Sequence, residues 1–239
     1  MLADSSNIVP QSGRLDPEVH CPSTVKLEII DFMAEELPCW RDHPDRPTAQ
    51  AETTLTDQLC DHLNSAARYS TTWSHIQFRT ETIDETCGGR KIDLTVKPLA
   101  AAIIIEGRRH SQFDALFPIE CKRLPTPNRH KRDEREYVTT KFATTGGIYR
   151  FKVGYYGAAH TFVAMIAYVQ AQSFSHWLDQ VNGWIRDLAA GPNSTWNNSD
   201  VLQLLSDNLE TGISTLESEH QREGDLEGCE LRHLWIRMS

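Results

Sequence analysis

Glu120 and Lys122 lie two residues apart in the apolar stretch Phe117–Leu124, whose sequence predicts a short, mostly buried strand. Successive side chains of a strand point to opposite faces, so the carboxylate and the ammonium share one face, while Ile119 and Cys121 share the other. A buried charge is costly unless it is paired or holds a metal ion. A charged pair in an apolar strand therefore needs an explanation, and a metal-dependent site is one.

Two further acids can join this pair. Asp93 projects from a predicted strand, residues 91–96, and Glu52 begins the buried face of a predicted helix, residues 49–67. If the two strands are neighbours, Asp93 and Glu120 can share one Mg²⁺, which prefers oxygen ligands and needs only one or two carboxylates. Such an ion lowers the pKa of a bound water and neutralises charge on a phosphate.

The remaining two groups have predicted roles beside this ion. Lys122 can orient or deprotonate the water, with a pKa lowered by burial, or stabilise developing negative charge. Glu52 can orient a metal-bound water or hold a second ion.

Asp93, followed 27 residues later by Glu120-Cys121-Lys122, resembles the PD-(D/E)XK nuclease superfamily, which includes many restriction endonucleases. The resemblance covers roughly residues 50–170. It implies an α/β fold with a restriction-endonuclease-like mixed central sheet flanked by helices, in the core order αβββαβ. Ile92 stands where the family motif has Pro, at a position that varies in such families.

The same resemblance implies the chemistry. It describes a Mg²⁺-dependent endonuclease that hydrolyses phosphodiester bonds, with Mn²⁺ able to substitute for Mg²⁺. The implied metal ligands are Asp93, Glu120 and the backbone carbonyl of Cys121, with Glu52 as an accessory ligand. The segments around Tyr137, GGIYRF and GYYG look like a subgroup of small bacterial restriction-like or phage-defence nucleases, so the expected context is prokaryotic defence.

The charge distribution predicts a polyanion-binding face. The chain carries a net charge of −9, yet residues 122–152 hold nine Lys or Arg against three acids, a local net of +6. A basic helix from about 129 to 143 is expected here. Double-stranded DNA is the expected partner, held through its phosphates. The predicted substrate-contacting residues are Arg123, Arg129, Lys131, Arg132, Arg135, Tyr137, Lys141 and Arg150.

The rest of the chain predicts one domain, residues 23–239, with helical additions at both ends and a poorly ordered tail at 1–22. No apolar run reaches transmembrane length, the N-terminus is not a secretory signal, and the six cysteines form no CxxC pair, so a cytoplasmic protein is expected. Pro38 is expected to end a first helix. The other predicted elements are helix 23–37, strand 73–79, strand 100–106, strand 160–170, helix 173–190, helix 201–209, linker 210–228 and strand 230–237.

Several alternatives remain open from the residues alone. Glu106, followed by Arg108, is a rival to Glu120; the Glu120–Lys122 pair can instead be an ion pair at a sheet edge. Asp93 can simply pair with Lys91 or Arg90. The domain can also be a catalytically inactive module for nucleic-acid binding or complex assembly, or a nuclease that cleaves RNA. Restriction-like enzymes often dimerise, so a homodimer or a defence-complex partner is compatible with the resemblance.

Overall fold

The computed structural model describes residues 18–86, 88–127, 132–140, 146–192 and 194–238. Its helices are α1 (Val25–Arg41), α2 (Glu52–Tyr69), α3 (Gly147–Lys152) and α4 (Phe174–Ala189), with a 3₁₀ turn at Asn198–Asp200. Its strands are β1 (Glu18–Cys21), β2 (Ile76–Ile83), β3 (Lys91–Pro98), β4 (Ala102–Ile105), β5 (Arg108–His110), β6 (Phe117–Leu124), β7 (Phe162–Val169), β8 (Gln203–Asn208), β9 (Ile213–His220) and β10 (Cys229–Arg237). None of the described helices is long and apolar enough to span a lipid bilayer.

Seven of these strands form one mixed sheet in the order β2-β3-β6-β7-β10-β9-β8. The pairs β6–β7 and β7–β10 are parallel, and the remaining neighbours on both sides are antiparallel. Strands β1, β4 and β5 form a separate small sheet. The structure therefore confirms the predicted mixed α/β class, with β6 and β7 near the middle of the large sheet.

Helices cover both faces of this sheet. Every residue of β7 is buried. Ala164 and Ile166 pack with the apolar residues of α1 and α2, whereas Met165 and Ala167 pack with those of α3 and α4. A strand covered on both faces is apolar at successive positions rather than at alternate ones, which explains the continuous apolar run of β7.

Helix α2 brings Glu52 to the sheet. Leu55, Leu59 and Leu63 repeat every four residues and are fully buried, so this stripe fixes which side of α2 faces the strands. Glu52 is the first residue of the helix. The partial positive charge of a helix N-terminus stabilises a carboxylate there.

The first helix extends further than its sequence predicts. Helix α1 continues through Pro38 to Arg41, whereas we expected Pro38 to end it. A proline removes one N–H donor of the helical ladder, and here it does so only in the last turns. Trp40 is 1% exposed, and its burial offsets that loss.

The N-terminal region also departs from its prediction. Residues Glu18–Cys21, which we expected in a poorly ordered tail, pair with β4 as a parallel strand. The predicted strand 100–106 forms as Ala102–Ile105, but in the small sheet rather than the large one. Strand pairing between distant segments decides both features, and local sequence patterns do not reveal it.

Two predicted helices are wrong within the described residues. Residues 132–140 form turns, and the helix of this region is instead the six-residue α3, which follows Gly146. The segment predicted as helix 201–209 is the edge strand β8, all six residues of which are exposed, and the predicted linker 210–228 contains β9. Val201, Leu202, Leu205 and Leu209 are spaced like one face of a helix, but the backbone of Gln203–Asn208 is paired with β9.

Candidate active site

Asp93 lies where strands β3 and β6 part. The two strands pair from Val96 to Leu94 on β3, and Leu94 lies opposite Ile119. Beyond that pair, Oδ2 of Asp93 accepts a hydrogen bond from the backbone N–H of Cys121 at 2.9 Å. The carboxylate thus satisfies a backbone donor that the ladder leaves unpaired, and this contact holds the acid beside the β6 pair.

The ammonium group of Lys122 lies among three carboxylates. Its Nζ is 2.6 Å from Glu120 Oε1, 3.4 Å from Asp93 Oδ2 and 3.5 Å from Glu52 Oε1. It also donates to the backbone carbonyl of Cys121 at 2.8 Å. The Lys122 side chain is only 5% exposed. Four charged groups from β3, β6 and α2 therefore converge in one site.

Glu52 and Asp93 lie at the more open side of this cluster. Their side chains are 20% and 32% exposed, whereas that of Glu120 is fully buried. Oε2 of Glu52 accepts a hydrogen bond from the backbone N–H of Arg123 at 3.2 Å, and Nη2 of Arg132 is 3.8 Å away. The strand end after Lys122 therefore helps to orient Glu52 through a backbone contact.

Arg150 supplies a second cation to Glu120. Its Nη1 is 2.5 Å from Oε1 of Glu120, and its guanidinium lies 4.9 Å from the ring centre of Tyr156. Within the described residues, the second oxygen of Glu120, Oε2, has no hydrogen-bond partner. A buried oxygen without a partner is costly, and a carboxylate oxygen is the ligand type that Mg²⁺ selects.

The electrostatics differ from expectation at Lys122. Burial alone would lower the pKa of Lys122, but the carboxylates of Glu120, Asp93 and Glu52 raise that pKa well above its usual value. Burial raises the pKa of Glu120 to about 6, against the lowering effects of Lys122 and Arg150. At neutral pH Glu120 and Lys122 are therefore both ionised, and the ammonium of Lys122 acts as a hydrogen-bond donor. The predicted lowering of its pKa is wrong because three acids outweigh desolvation.

The donor set of the cluster fits a hard divalent cation. The described residues include no group of three or more His, Cys, Asp or Glu side chains arranged to hold a metal ion. Mg²⁺, however, takes one or two carboxylates and completes its shell with waters and substrate oxygens. The unpaired Oε2 of Glu120, the Asp93 carboxylate and the Cys121 carbonyl are all oxygen donors close together, so the residues present fit Mg²⁺.

The competing assignments lose support in this geometry. Strand β6 lies between β3 and β7, so the Glu120–Lys122 pair is not at a sheet edge. Lys91 pairs with Glu81 at 2.6 Å, and Arg90 donates to the carbonyl of Tyr155 at 2.6 Å, so neither serves as the partner of Asp93. Glu106 lies in an exposed turn between β4 and β5, in the small sheet.

The predicted substrate-contacting residues separate into different environments. Arg132 forms a bidentate pair with Glu136 at 2.7 Å for each bond, close to the site. Arg135 is paired with Asp133 at 3.2 Å. Arg123 lies in β6 directly after Lys122. Arg129, Lys131 and Lys141 lie outside the described residues.

Tyr137 does not lie on a substrate surface. It is fully buried, and its hydroxyl is 2.8 Å from Nδ1 of His233 and accepts a hydrogen bond from Nε1 of Trp235 at 2.9 Å. Lys152, which contributes to the local positive charge, is also buried, 2.9 Å from Asp200. The local charge count overestimated the binding face because it could not separate buried cations from exposed ones.

The sequence analysis missed Tyr156, whose ring supports the guanidinium of Arg150. The only signal for it is the aromatic pair in GYYG, and no periodic pattern links that loop to β6.

The arrangement of Glu52, Asp93, Glu120 and Lys122 can bind a divalent cation and stabilise negative charge on a phosphate. No protein-family model, no curated protein and no solved structure matches this chain.

Proposed function

We propose that this chain is a metal-dependent nuclease that hydrolyses phosphodiester bonds of DNA. One observation carries the proposal: Lys122 is buried among the carboxylates of Glu120, Asp93 and Glu52, and one oxygen of Glu120 has no partner among the described residues. A purely structural ion pair does not need three acids around one lysine. An acid-rich, oxygen-lined cluster is what phosphate chemistry with a divalent cation requires.

The order of elements supports the same proposal. From α2 onward, with β4 and β5 left out, the elements follow one another along the chain as α2, β2, β3, β6, α3 and β7. This is the αβββαβ order that the resemblance to PD-(D/E)XK nucleases implies, if β4 and β5 are regarded as an insertion. The acids lie at the corresponding places: Glu52 on the first helix, Asp93 on the second strand, and Glu120 on the third.

Each residue has a defined role in this proposal. Asp93, Glu120 and the Cys121 carbonyl would hold Mg²⁺, which would lower the pKa of a bound water and neutralise phosphate charge. Lys122, held as an ammonium by its three acids, donates to a phosphate oxygen or orients the attacking water. Arg150 balances the charge of Glu120, and Glu52 accepts a hydrogen bond from the water that approaches from the open side.

The substrate assignment rests on the cations near the open side. The guanidinium of Arg132 is 3.8 Å from Glu52 and its side chain is 33% exposed, so a polyanion can approach it there. The guanidinium of Arg123 lies nearby, against the backbone carbonyl of Gln50. Contacts of this type hold the phosphate backbone and carry no sequence information. We propose double-stranded DNA as the substrate and prokaryotic defence as the context, in a cytoplasmic setting.

The test is cleavage of supercoiled plasmid DNA with Mg²⁺, with Mn²⁺, and with EDTA. We expect cleavage with either ion and none with EDTA. Asp93→Asn keeps an oxygen for the Cys121 N–H but removes the charge, so the fold is retained and cleavage falls about 10²- to 10³-fold, the usual loss for one electrostatic group. In Lys122→Met we expect the cleavage rate to fall by at least the same factor.

The matched control is Lys91→Met, which removes an exposed lysine of β3 that pairs with Glu81 outside the cluster. It should cleave at the wild-type rate. Far-UV circular dichroism and thermal unfolding of each variant separate lost chemistry from lost folding. If Asp93→Asn and Lys122→Met are folded and cleave like the wild type, the proposal is wrong.

Two further measurements separate the neighbouring hypotheses. Parallel cleavage of RNA of the same sequence distinguishes a ribonuclease from a deoxyribonuclease. Calorimetric titration with Mn²⁺ distinguishes an enzyme from an inactive module, because only the former needs ion binding that depends on Asp93 and Glu120. Absence of both ion binding and cleavage would favour a nucleic-acid-binding or assembly module.

A further inference from the structure

A row of alternating arginine and tyrosine side chains leads away from the acid cluster. It begins at Arg150, which pairs with Glu120 and has its Cζ 4.9 Å from the ring centre of Tyr156. The ring centres of Tyr156 and Tyr155 are 5.3 Å apart, and Cζ of Arg90 lies 3.5 Å from the ring centre of Tyr155. These four side chains, the arginine–tyrosine row, therefore connect Glu120 with the residue that directly precedes β3.

The outer end of the row lies on the more open side of the cluster. Arg90 comes three residues before Asp93, a separation of about 10 Å along an extended chain. Asp93 is the most exposed acid of the cluster, with 32% of its side chain accessible. Burial raises the pKa of Tyr156, and the charges of Glu120 and Asp93 raise it further. The middle of the row is therefore close enough to feel both acids, and Arg90 lies on the Asp93 side.

Arg90 carries a positive charge that no acid neutralises within the described residues. Its contacts there are the face of the Tyr155 ring and the Tyr155 carbonyl, to which Nη1 donates at 2.6 Å. Arg132, in contrast, pairs with Glu136. Five N–H groups surround the edge of a guanidinium, so donors remain on Arg90 after the bond to the carbonyl. This side chain can therefore bind an additional anion.

Tyr155 holds the guanidinium of Arg90 ready for such a contact. A guanidinium stacked on an aromatic face keeps its N–H donors in its own plane, directed outward from the stack. The bond to the Tyr155 carbonyl fixes the rotation of the group in that plane. Both side chains are partly exposed, so the remaining donors form a fork of restricted orientation that a ligand can reach.

The form of this surface indicates a strand of nucleic acid rather than a small anion. Arginine binds phosphate through two parallel N–H···O bonds. Channels that hold nucleic-acid strands combine cations that follow the backbone with aromatic side chains and arginine–aromatic contacts. A polymer with regularly spaced phosphates fits two anion positions on one open surface, at the acid cluster and at Arg90, whereas a single small anion does not use both.

We propose that Arg90, held in place by Tyr155, binds a backbone phosphate of the DNA strand near the phosphate at the acid cluster. This inference rests on the proposed function, because that function puts the cleaved phosphate beside Asp93 and Glu52. Arg132 lies on the Glu52 side, 3.8 Å from that carboxylate, and Arg90 lies on the Asp93 side. Arg90 therefore contributes affinity and register without reading the sequence, and Tyr155 is a positioning residue.

The test measures DNA binding and its salt dependence without cleavage. Full-length Asp93→Asn protein in EDTA is titrated with a short fluorescein-labelled DNA duplex at about 50 to 200 mM NaCl, following fluorescence anisotropy. Each phosphate that a protein cation neutralises adds about 0.9 to the magnitude of the slope of log K against log salt concentration. In this background we expect Arg90→Gln to lower that magnitude by about 1 and to weaken binding about tenfold, equally for unrelated DNA sequences.

The matched control is Lys91→Gln, which removes the same charge from the next residue. The Lys91 side chain is 61% exposed and pairs with Glu81, so the slope should stay unchanged. Tyr155→Leu removes the stacking ring and should weaken binding toward the level of Arg90→Gln, whereas Tyr155→Phe keeps the ring and should bind like the parent protein. Circular dichroism checks each variant, and the two Tyr155 variants keep the proposal testable if Arg90→Gln does not fold.

Three results overturn the proposal. The first is a folded Arg90→Gln that keeps the slope and affinity of the parent, which would leave Arg90 only its structural contact with Tyr155. The second is a Lys91→Gln that lowers the slope as much as Arg90→Gln does. The third is equal affinity of folded Tyr155→Leu and Tyr155→Phe.

Plasmid cleavage by the wild type tests the nuclease separately. Cleavage together with an unchanged slope in Arg90→Gln refutes only the role of Arg90. A lowered slope in Arg90→Gln without cleavage by the wild type refutes only the nuclease.

Discussion

The buried ion pair between Lys152 and Asp200 gives the sharpest stability prediction. Its Nζ–Oδ2 distance is 2.9 Å, and the two side chains are 2% and 1% exposed. Lys152→Met keeps the length of the side chain and removes its charge, which leaves the Asp200 carboxylate buried. Removal of one partner from a buried pair costs about 3–5 kcal/mol, because the remaining charge loses its compensation.

The loss of unfolding free energy in Lys152→Met should lie toward the lower end of that range. Its carboxylate keeps two other contacts, His220 Nδ1 at 3.1 Å and the backbone N–H of Asn197 at 2.8 Å. Burial alone would raise the pKa of Asp200, but hydrogen bonds from His220, Asn197 and Lys152 together lower that pKa. We therefore expect a loss of about 3 kcal/mol, or roughly 6–12 °C in Tm for a chain of this size.

The assay is urea unfolding at pH 7 and 25 °C, followed by far-UV circular dichroism. The matched control is Lys91→Met, whose pair with Glu81 is also short, 2.6 Å, but has side chains that are 61% and 58% exposed. Exposed pairs contribute about 0–1 kcal/mol, so the control should change the unfolding free energy very little. If Lys152→Met destabilises the protein no more than Lys91→Met, the reasoning from burial is refuted.

The double variant checks the mechanism behind that number. Lys152→Met with Asp200→Asn removes both charges, so the cost should be smaller than the sum of the two single variants by about 1–3 kcal/mol. Additive losses would mean that the two charges do not interact.

Two further predictions concern the backbone and pH. Gly146 has φ +128°, and an added Cβ would clash with the backbone of Thr139, so Gly146→Ala should destabilise the protein by at least about 1–3 kcal/mol. Gly183 in α4 has open space around an added Cβ, so Gly183→Ala should stabilise the protein by about 0.5–1 kcal/mol. Thermal unfolding compares the two glycine variants, and equal changes in Tm would contradict this reasoning from backbone geometry. Burial lowers the pKa of His160 to about 4, against the opposing effect of Glu85, while the unfolded value is about 6.5. Between pH 6.5 and pH 4 the folded state therefore binds fewer protons than the unfolded state, so the unfolding free energy falls by about 1.4 kcal/mol per pH unit as the pH is lowered through this range. Urea midpoints measured at pH 7, 6 and 5 should fall less steeply with decreasing pH for His160→Gln than for the wild type. If the two pH dependences are equal, His160 does not cause the loss of stability.

Much of the arrangement around the cluster was predictable because its patterns are local. The period of two along β6 places Glu120 and Lys122 on one face, and Cys121 does pack in the core on the other. The four-residue leucine repeat of α2 puts Glu52 at the end of its buried stripe. Strand and helix periodicities depend only on neighbouring residues, so they can be read without the fold.

Errors occurred where non-local contacts outweigh local pattern. Residues 201–209 carry apolar side chains at helical spacing, but pairing with β9 makes Gln203–Asn208 an exposed edge strand. Helix α3 has only six residues, too few to show a helical period, and Gly146 and Gly147 at its start favour a turn in the sequence pattern. Tyr137 was assigned to the surface by its basic neighbours, whereas its hydroxyl bonds to His233 on a strand 96 residues away.

The sequence alone identifies the chemical groups of the cluster, because residue types and strand alternation show which charges can share a face. Only the tertiary structure determines their charge state and partners. Lys122 remains an ammonium because Glu120, Asp93 and Glu52 from three different elements surround it, and their combined attraction exceeds the cost of burial. Arg150 reaches Glu120 from α3, 30 residues further along the chain, through a contact that no spacing rule predicts. Electrostatic energies depend on distances through space, and those distances exist only once the chain has folded.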